Sequence, residues 1–500
     1  MQDQRAIVEP VSRAQEKGAK MSAQSDKAPV NTIPQLIAGK WQPAAESYDV
    51  RDPYRGTVIA KAPRSGMEDL KHAMEAAHSA KHVMAAMPGY KRAELLRRVG
   101  GLLSNRVDQI AEVMARETGK AIKDCRAEVG RSQDTIQLSA EEAIRIEGEQ
   151  VPLDGSAMGA GKIAFLLRFP VGVVAAITPF NAPFNLACHK IAPALAAGNA
   201  IILKAPPQSP GVIHEVARLF VDAGVPSGAL SVLYGDIAGP ALVRHPGADF
   251  ITFTGSSRIG AEIKAASGLK RVALELGGDG PTIVAADAVI EDSAPMCARN
   301  AMRLSGQSCI SVQNVYVHDS LFEPFVARVV QEVKSLKVGN PLDPETDVGT
   351  LIDEAAALRV ETWIREAVEQ GARMMTGGRR NGAQVEPTVL ADVRPEMRVV
   401  CEEVFGPVVS IQRFTDIDTV FERIAGSRFG LQCGIFTRSL ELAMRAVRVL
   451  RTGGVILNGT STWRTDQLAY GGIKDSGIGR EGPKYAIRDM TDERLVVFNL

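Results

Sequence analysis

Four arrangements in this sequence have the residue types and spacing that chemistry uses. Gly477-Ile-Gly479-Arg-Glu-Gly482 is a literal G-x-G-x-x-G, the pattern that cradles a dinucleotide pyrophosphate. It follows a polar loop and not a strand. The sequence also ends before the place, about 20 residues on, where a ribose-binding acid would stand. Gly155 with Gly161-Lys162 approximates a phosphate-binding loop, but the first glycine is one residue too far away. Ile163 also stands where a magnesium-binding hydroxyl is required. Glu75, His78 and His82 share one helix face and have the side chains of a metal site, but their helix is rich in Lys and Ala, the composition of a solvated face. Six cysteines stand at 125, 188, 297, 309, 401 and 433 with no C-x-x-C pair, which argues against a disulfide scaffold and against a zinc ribbon. Taken alone, each is a small buried hydrophobe or a reactive thiol. Cys309 has a distinct setting, the small and flexible run Ser305-Gly-Gln-Ser-Cys309, from which a side chain can reach a cleft.

The elements that must position these groups follow from periodicity. From 66 to 146 apolar residues recur at three and four, which predicts helices. Between 150 and 169 the period changes, and 162–169 reads as a strand. Then strands predicted at 171–178, 200–204, 230–234, 250–253 and 271–276 alternate with helices at 185–197, 211–223, 239–244 and 259–266. Short, nearly continuous apolar strands alternating with helices imply a parallel, doubly wound sheet, whose ligands sit beyond the carboxyl ends of the strands. Three of these strands run into polar residues: Thr178-Pro-Phe-Asn181, Lys204 and Thr254-Gly-Ser256. A fourth ends at Glu275, just before Gly277-Gly278. Read without context, Asn181 is a turn former and Glu275 a solvated carboxylate. After Gly280-Pro281 a second alternation begins, with strands at 311–318, 407–414, 431–436 and 454–457 and helices near 320–334, 353–370, 417–425 and 439–449. The last residues, 493–500, alternate as a strand.

Composition narrows the function classes. Fifty-eight basic side chains balance 58 acidic ones, so no bulk charge draws the chain to nucleic acid or anionic lipid. No window approaches the 18 or so apolar residues of a membrane span. The first 30 residues are polar and lack the apolar core of a signal peptide, which predicts a flexible tail on a cytoplasmic protein. At 500 residues the chain suits two or three domains.

From residue 36 to residue 500 the sequence resembles the aldehyde dehydrogenase superfamily. The resemblance rests on an ordered set of motifs: Thr178-Pro-Phe-Asn181, Lys204, Phe253-Thr-Gly-Ser256, Leu274-Glu-Leu-Gly-Gly278, Gly306-Gln-Ser-Cys309, Glu402-Glu-Val-Phe-Gly-Pro407 and Gly472-Ile-Lys-Asp-Ser-Gly477. It implies an α/β fold with a parallel, doubly wound dinucleotide-binding domain at 31–147 and 171–280. A second α/β, catalytic domain would cover 281–486, and an oligomerisation arm 148–170 with 487–500. In this resemblance Cys309 is the nucleophile, whose thiolate adds to an aldehyde carbonyl so that the adduct can release hydride. Asn181 and the Cys309 backbone N–H are the oxyanion donors. Glu275 is the base that activates the hydrolytic water; members that pass the acyl group to coenzyme A lack it, so its presence implies a free acid as product. Lys204 and Glu403 hold the two riboses, Thr178 and Phe180 belong to the cofactor site, Phe405 packs near the nicotinamide, and Gly255 and Ser256 approach the pyrophosphate. Glu481 matches a supporting glutamate near the water channel.

The cofactor is then NAD or NADP, and no metal is required. NADP is expected to be accepted, because Pro207 stands where many NAD-preferring members carry a ribose-binding glutamate, leaving no local carboxylate to oppose a 2′-phosphate. Asp279 stands where lysine is common, with no function apparent from the sequence. The run Thr462-Trp-Arg464-Thr-Asp466 falls in the loop that lines the substrate entrance, and looks most like members acting on lactaldehyde, glycolaldehyde or phosphonoacetaldehyde. Arg464 would hold a hydroxyl or anionic group through its fork of donors, and Trp463 would narrow the mouth. The alternative for Arg464 is an ion pair with Asp466 or with a neighbouring subunit. The alternative for the substrate is an apolar or aromatic aldehyde. Against a non-catalytic nucleotide-binding protein stands the presence of Cys309, Asn181 and Glu275 together. A homodimer or homotetramer is expected.

Overall fold

The computed structural model describes residues 31–499; the expected tail at 1–30 lies outside the described residues. The central element is an eight-stranded sheet in the order Gly477–Ile478, Arg271–Glu275, Phe250–Thr254, Val173–Ile177, Ala200–Lys204, Leu230–Leu233, Gln35–Ile37 and Lys40–Gln42. Its five inner strands are mutually parallel, and both edges are closed by antiparallel pairing. Runs such as Val-Val-Ala-Ala-Ile at 173–177 are buried almost throughout because helices cover both faces. One of those helices, Pro183–Ala197, is buried along its whole length, its apolar majority enclosing the polar Asn185, His189 and Lys190.

The order of the strands decides where a ligand can sit. From Val173–Ile177 the chain moves to one side for the strands at 200 and 230, then crosses to the other side for those at 250 and 271. That reversal opens a crevice at the carboxyl ends, between Ile177 and Thr254. The register brings the chemistry to one rim: Lys204 lies opposite Ile177, and Glu275 opposite Thr254.

The second sheet has seven strands, Arg373–Thr376, Thr388–Ala391, Val408–Phe414, Asn314–His318, Pro281–Val284, Gln432–Phe436 and Gly454–Leu457, all parallel except the first. The four strands expected here are present. The one expected at 311 starts only at Asn314, because the Ser311 N–H donates 3.0 Å to the Ser308 carbonyl and closes a turn. Pro281–Val284, which opens on a proline directly after Gly280 and so reads as a turn, is an inner strand of this sheet, between Asn314–His318 and Gln432–Phe436. The helical reading of 66–146 resolves into four helices, Met67–Ala86, Gly89–Ser104, Val107–Thr118 and Ile122–Glu142.

Two late segments leave the second sheet. Gly477–Ile478 pairs antiparallel with Leu274 and Glu275, so the G-x-G-x-x-G run abuts the strand that carries Glu275. Thr491–Asn499 pairs with Lys162–Pro170, which pairs with Glu149–Val151, forming a separate three-stranded antiparallel sheet. Ile163, Phe165, Leu167, Leu495, Val497 and Phe498 stand exposed on it. Among the described residues no helix is long and apolar enough to cross a membrane.

Candidate active site

Cys309 owes its place to an irregular turn. Helix Ile290–Met302 gives way to the short 3-10 segment Arg303–Gly306, in which Leu304, Ser305 and Gly306 take φ of +56°, +53° and +71°. A Cβ on Gly306 would lie 1.9 Å from the Gly406 carbonyl oxygen, so the Gly306-Gln-Ser-Cys309 run presses directly on the Phe-Gly-Pro run at 405–407. Gln307 pins the turn further, its Oε1 accepting from the Ile352 N–H at 3.0 Å. Cys309 emerges half-buried, with its sulfur 3.2 Å from the Tyr470 hydroxyl. Burial pushes its thiol up to about 12; Tyr470 and Arg464 favour the thiolate, whereas Glu403 and Glu275 oppose it. Of the other cysteines, Cys125, Cys188, Cys297 and Cys433 are buried and Cys401 is exposed at the surface.

Asn181 faces this turn from the first sheet, its Nδ2 donating 2.9 Å to the Gln307 carbonyl. A buried ion pair holds it there. Lys120 and Glu128, 3% and 6% exposed, are joined to each other. Lys120 Nζ donates 3.0 Å to the Asn181 carbonyl, while Glu128 Oε1 accepts from the N–H groups of Phe184 and Asn185, each at 3.0 Å. The carboxylate thus satisfies the open N-terminus of helix Pro183–Ala197, and its partner lysine ties the preceding loop to it. Neither residue has a signal in the sequence, since each lies on a polar stretch of a surface-type pattern.

Glu275 is buried at the end of its strand, and its Oε2 has no hydrogen-bond partner. Burial raises its pKa well above the usual carboxylate range, and Glu481 raises it further. Glu481 is driven the opposite way by the Arg464 guanidinium, 2.7 Å from its Oε2, together with His189 and Lys190. The two carboxylates are driven apart, Glu275 toward its neutral form and Glu481 toward its ionised form. Lys190, the single lysine of the buried helix Pro183–Ala197, donates to Thr252 and Thr254 at 3.1 and 2.8 Å and lies 3.7 Å from Glu481. Glu275, Arg480, Glu481, Thr252 and Asp489 surround a pocket of about 10 Å³, the room of one water molecule.

Arg464 is 7% exposed at its side chain. It pairs with Glu481 and not with Asp466, and its guanidinium lies 3.8 Å above the centre of the Tyr470 ring. Its Nε is buried without a partner. Asp466 is held by Thr135 at 2.5 Å and by His189 at 3.2 Å. Trp463 is 54% exposed at the surface.

A cleft of about 390 Å³ opens at the switch point, lined by Thr178, Phe180, Lys204, Pro207, Asp236 and Gly255 among others. The hydroxyl of Thr178 is buried there without a partner. Burial lowers the Lys204 ammonium to about 8 despite the nearby Asp236. Asp236 corrects one expectation: the cleft does hold a carboxylate, though Arg64 pairs with it at 2.6 Å. Ser256 caps helix Ser257–Ala266, accepting from the Ile259 N–H. Phe180, on the cleft wall, meets Phe405 edge to face, centroids 6.0 Å apart. Glu403 accepts from the Gly278 N–H at 3.3 Å, and a Cβ on Gly277 would lie 2.5 Å from its Oε2, so the paired glycines make room for this carboxylate. Burial pushes Glu403 up to about 7. Asp279 has a structural explanation: its carboxylate accepts from the Ser427 hydroxyl at 2.7 Å, and its carbonyl accepts from Asn314. The cleft, the orphaned Thr178 hydroxyl and the Lys204 ammonium fit a dinucleotide, and the Phe180–Phe405 contact joins the cleft to the segment that carries Glu403. His78 turns to the Gly247 carbonyl at 3.1 Å.

Comparison with known proteins agrees with this geometry. The model of the Aldehyde dehydrogenase family matches residues 41–496. The chain is 43% identical over 466 residues to a 3-sulfolactaldehyde dehydrogenase of Priestia megaterium, covering 93% of this chain and 97% of that protein. It is 37% identical over 472 residues to a lactaldehyde dehydrogenase of Methanococcus vannielii, covering 93% and 99%. Among solved structures, aldehyde dehydrogenase 21 of Physcomitrella patens in complex with the reaction product succinate superposes with a TM-score of 0.92 at 39% identity, covering 95% of this chain and 99% of that one. An NADP-dependent glyceraldehyde-3-phosphate dehydrogenase of Bacillus halodurans complexed with NADP gives 0.91 at 36%, covering 94% and 99%.

The Lys120–Glu128 pair generates a coupling prediction. Lys120→Met or Glu128→Gln alone leaves an uncompensated buried group and should destabilise by about 3 kcal/mol or more. The double variant should lose clearly less than the sum, as read by denaturant melts of all four proteins. Strictly additive losses would show that the two side chains do not act as a pair.

Proposed function

The chain belongs to the aldehyde dehydrogenase family, and from the site it builds we propose that it oxidises a short polar or anionic aldehyde to the free acid with NAD or NADP. The observation that carries this is the meeting, at one rim, of a half-buried Cys309, an Asn181 amide fastened beside it and a buried Glu275 with a free carboxyl oxygen. The Cys309 thiolate adds to the aldehyde carbon, forming a C–S bond while the carbonyl electron pair moves to oxygen. The Asn181 amide and the Cys309 N–H receive that oxyanion. A bound nicotinamide supplies the hydride acceptor through which the adduct becomes a thioester. Glu275, once it has released its own proton to solvent, takes a proton from water, the hydroxide adds to the thioester carbonyl, and the Cys309 thiolate leaves as the acid forms.

Lys204 would hold the adenosine ribose and Glu403 the nicotinamide ribose, with Thr178, Phe180, Gly255, Ser256 and Phe405 completing the cofactor walls. Arg464 would reach the polar end of the substrate with its unpartnered Nε, and Trp463 would border the mouth. The named relatives support a short hydroxyaldehyde, one of them bearing a sulfonate. The exposed apolar strip on the sheet of Lys162–Pro170 and Thr491–Asn499 supports its role as an oligomerisation arm. Free thiols suit a reducing compartment, the cytoplasm.

Four variants test the reading. Cys309→Ala should abolish turnover and still bind dinucleotide, and Glu275→Gln should give one burst of reduced cofactor and then stall. A Cys309→Ala enzyme at a tenth of the parent rate, or burst-free steady turnover in Glu275→Gln, would overturn the respective role. Pro207→Glu should shift the ratio of kcat/KM toward NAD by adding a carboxylate where a 2′-phosphate would lie beside Lys204; an unmoved ratio would count against that placement. Arg464→Ala should raise KM for a short anionic aldehyde far more than for propanal, whereas equal losses on both would make the arginine structural.

A further inference from the structure

The hydroxyl of Tyr470 has one hydrogen-bonding partner among the described side chains, and it is the sulfur of Cys309, 3.2 Å away. Tyr470 is 5% exposed and sits in the loop that runs from Arg464 to Gly472. The Arg464 guanidinium lies over its ring, 3.8 Å from the centre, and is itself anchored by Glu481. A cation on the face of a phenol withdraws electron density from the ring and makes its O–H a better donor. We propose that Tyr470 is a catalytic residue, its O–H donating to the Cys309 sulfur and stabilising the attacking thiolate, with Arg464 polarising the ring from behind. The inference rests on the reading of Cys309 as nucleophile.

The direction of this hydrogen bond follows from the surroundings. Burial holds the Tyr470 phenol well above its ordinary pKa, so it stays protonated and has a proton to give. The charged and titratable groups facing Cys309 are Tyr470, Arg464, Glu403 and Glu275. Both acids disfavour a thiolate, as does burial, which leaves Tyr470 and Arg464 as the two groups that favour it. One N–H of the Asn181 amide donates to the Gln307 carbonyl, and among the described residues no hydrogen bond runs from Asn181 to the resting sulfur. Without the tyrosine hydroxyl the sulfur would meet burial and two carboxyl groups with only a distant guanidinium in compensation.

The test reads the sulfur directly. In a Cys401→Ser background, which removes the exposed surface thiol, alkylation of Cys309 by iodoacetamide is followed against pH with the modified peptide identified by mass spectrometry. Tyr470→Phe keeps the ring under Arg464 and removes only the hydroxyl. Its alkylation midpoint should rise by about one pH unit, equivalent to a roughly tenfold slower reaction at neutral pH. The acid limb of kcat/KM should move up with it, and the rate should recover at high pH, while KM for NADP stays at the parent value. An unmoved midpoint, in an enzyme that Cys309→Ala inactivates, overturns the role of Tyr470 alone. A lowered midpoint overturns it too, because the hydroxyl would then be accepting from the thiol. A Cys309→Ala enzyme that still turns over overturns both readings.

Discussion

The ion pair between Arg464 and Glu481, 2.7 Å long with both side chains 7% exposed, is the interaction on which the charge balance of the site depends. A buried volume that holds Glu275, Glu481, Lys190, His189 and Arg464 is tolerable only if opposite charges meet there. Arg464 keeps Glu481 ionised, and the ionised Glu481 in turn favours a protonated Glu275. The same guanidinium covers the Tyr470 ring, which faces the nucleophile. Base, supporting acid and thiol are therefore electrostatically linked through one side chain.

Close backbone approach joins the two sheets. Gly306 rests on Gly406 within the second half, and between the halves Gly277 makes room for the Glu403 carboxylate while a Cβ on Gly278 would lie 2.6 Å from the Cys309 carbonyl oxygen. Side chains larger than hydrogen at these points would separate the segment after Glu275 from the turn before Cys309. The two halves of the chemistry come from different sheets, so their mutual placement rests on these contacts and on Asn181, whose amide bridges to the Gln307 carbonyl.

The familiar-looking patterns illustrate how little a spacing means without its surroundings. The G-x-G-x-x-G at 477–482 forms a two-residue strand against Leu274 and Glu275, so it supports the strand of the base. The helix face with Glu75, His78 and His82 contributes a single imidazole contact, to the Gly247 carbonyl. Asp279, which had no role apparent from the sequence, fastens the loop at Ser427 to the segment that follows the glycine pair.

Sequence by itself determined the alternation of strands and helices, because burial on two faces leaves nearly continuous apolar runs that only a covered parallel sheet accommodates. It also determined which motifs follow one another, and so which side chains stand at strand ends: Asn181, Lys204 and Glu275 all lie within a residue or a short turn of the ends observed. The inner strand Pro281–Val284 was not legible, since a Gly-Pro start reads as a turn. The partners of the buried charges were decided only by the tertiary structure. Arg464 stands two residues from Asp466, yet it pairs with Glu481, while Asp466 turns to Thr135, 331 residues away. Local spacing is silent on such pairings because a buried charge takes the counter-charge that the packed elements bring to it in space, whatever its neighbours along the chain.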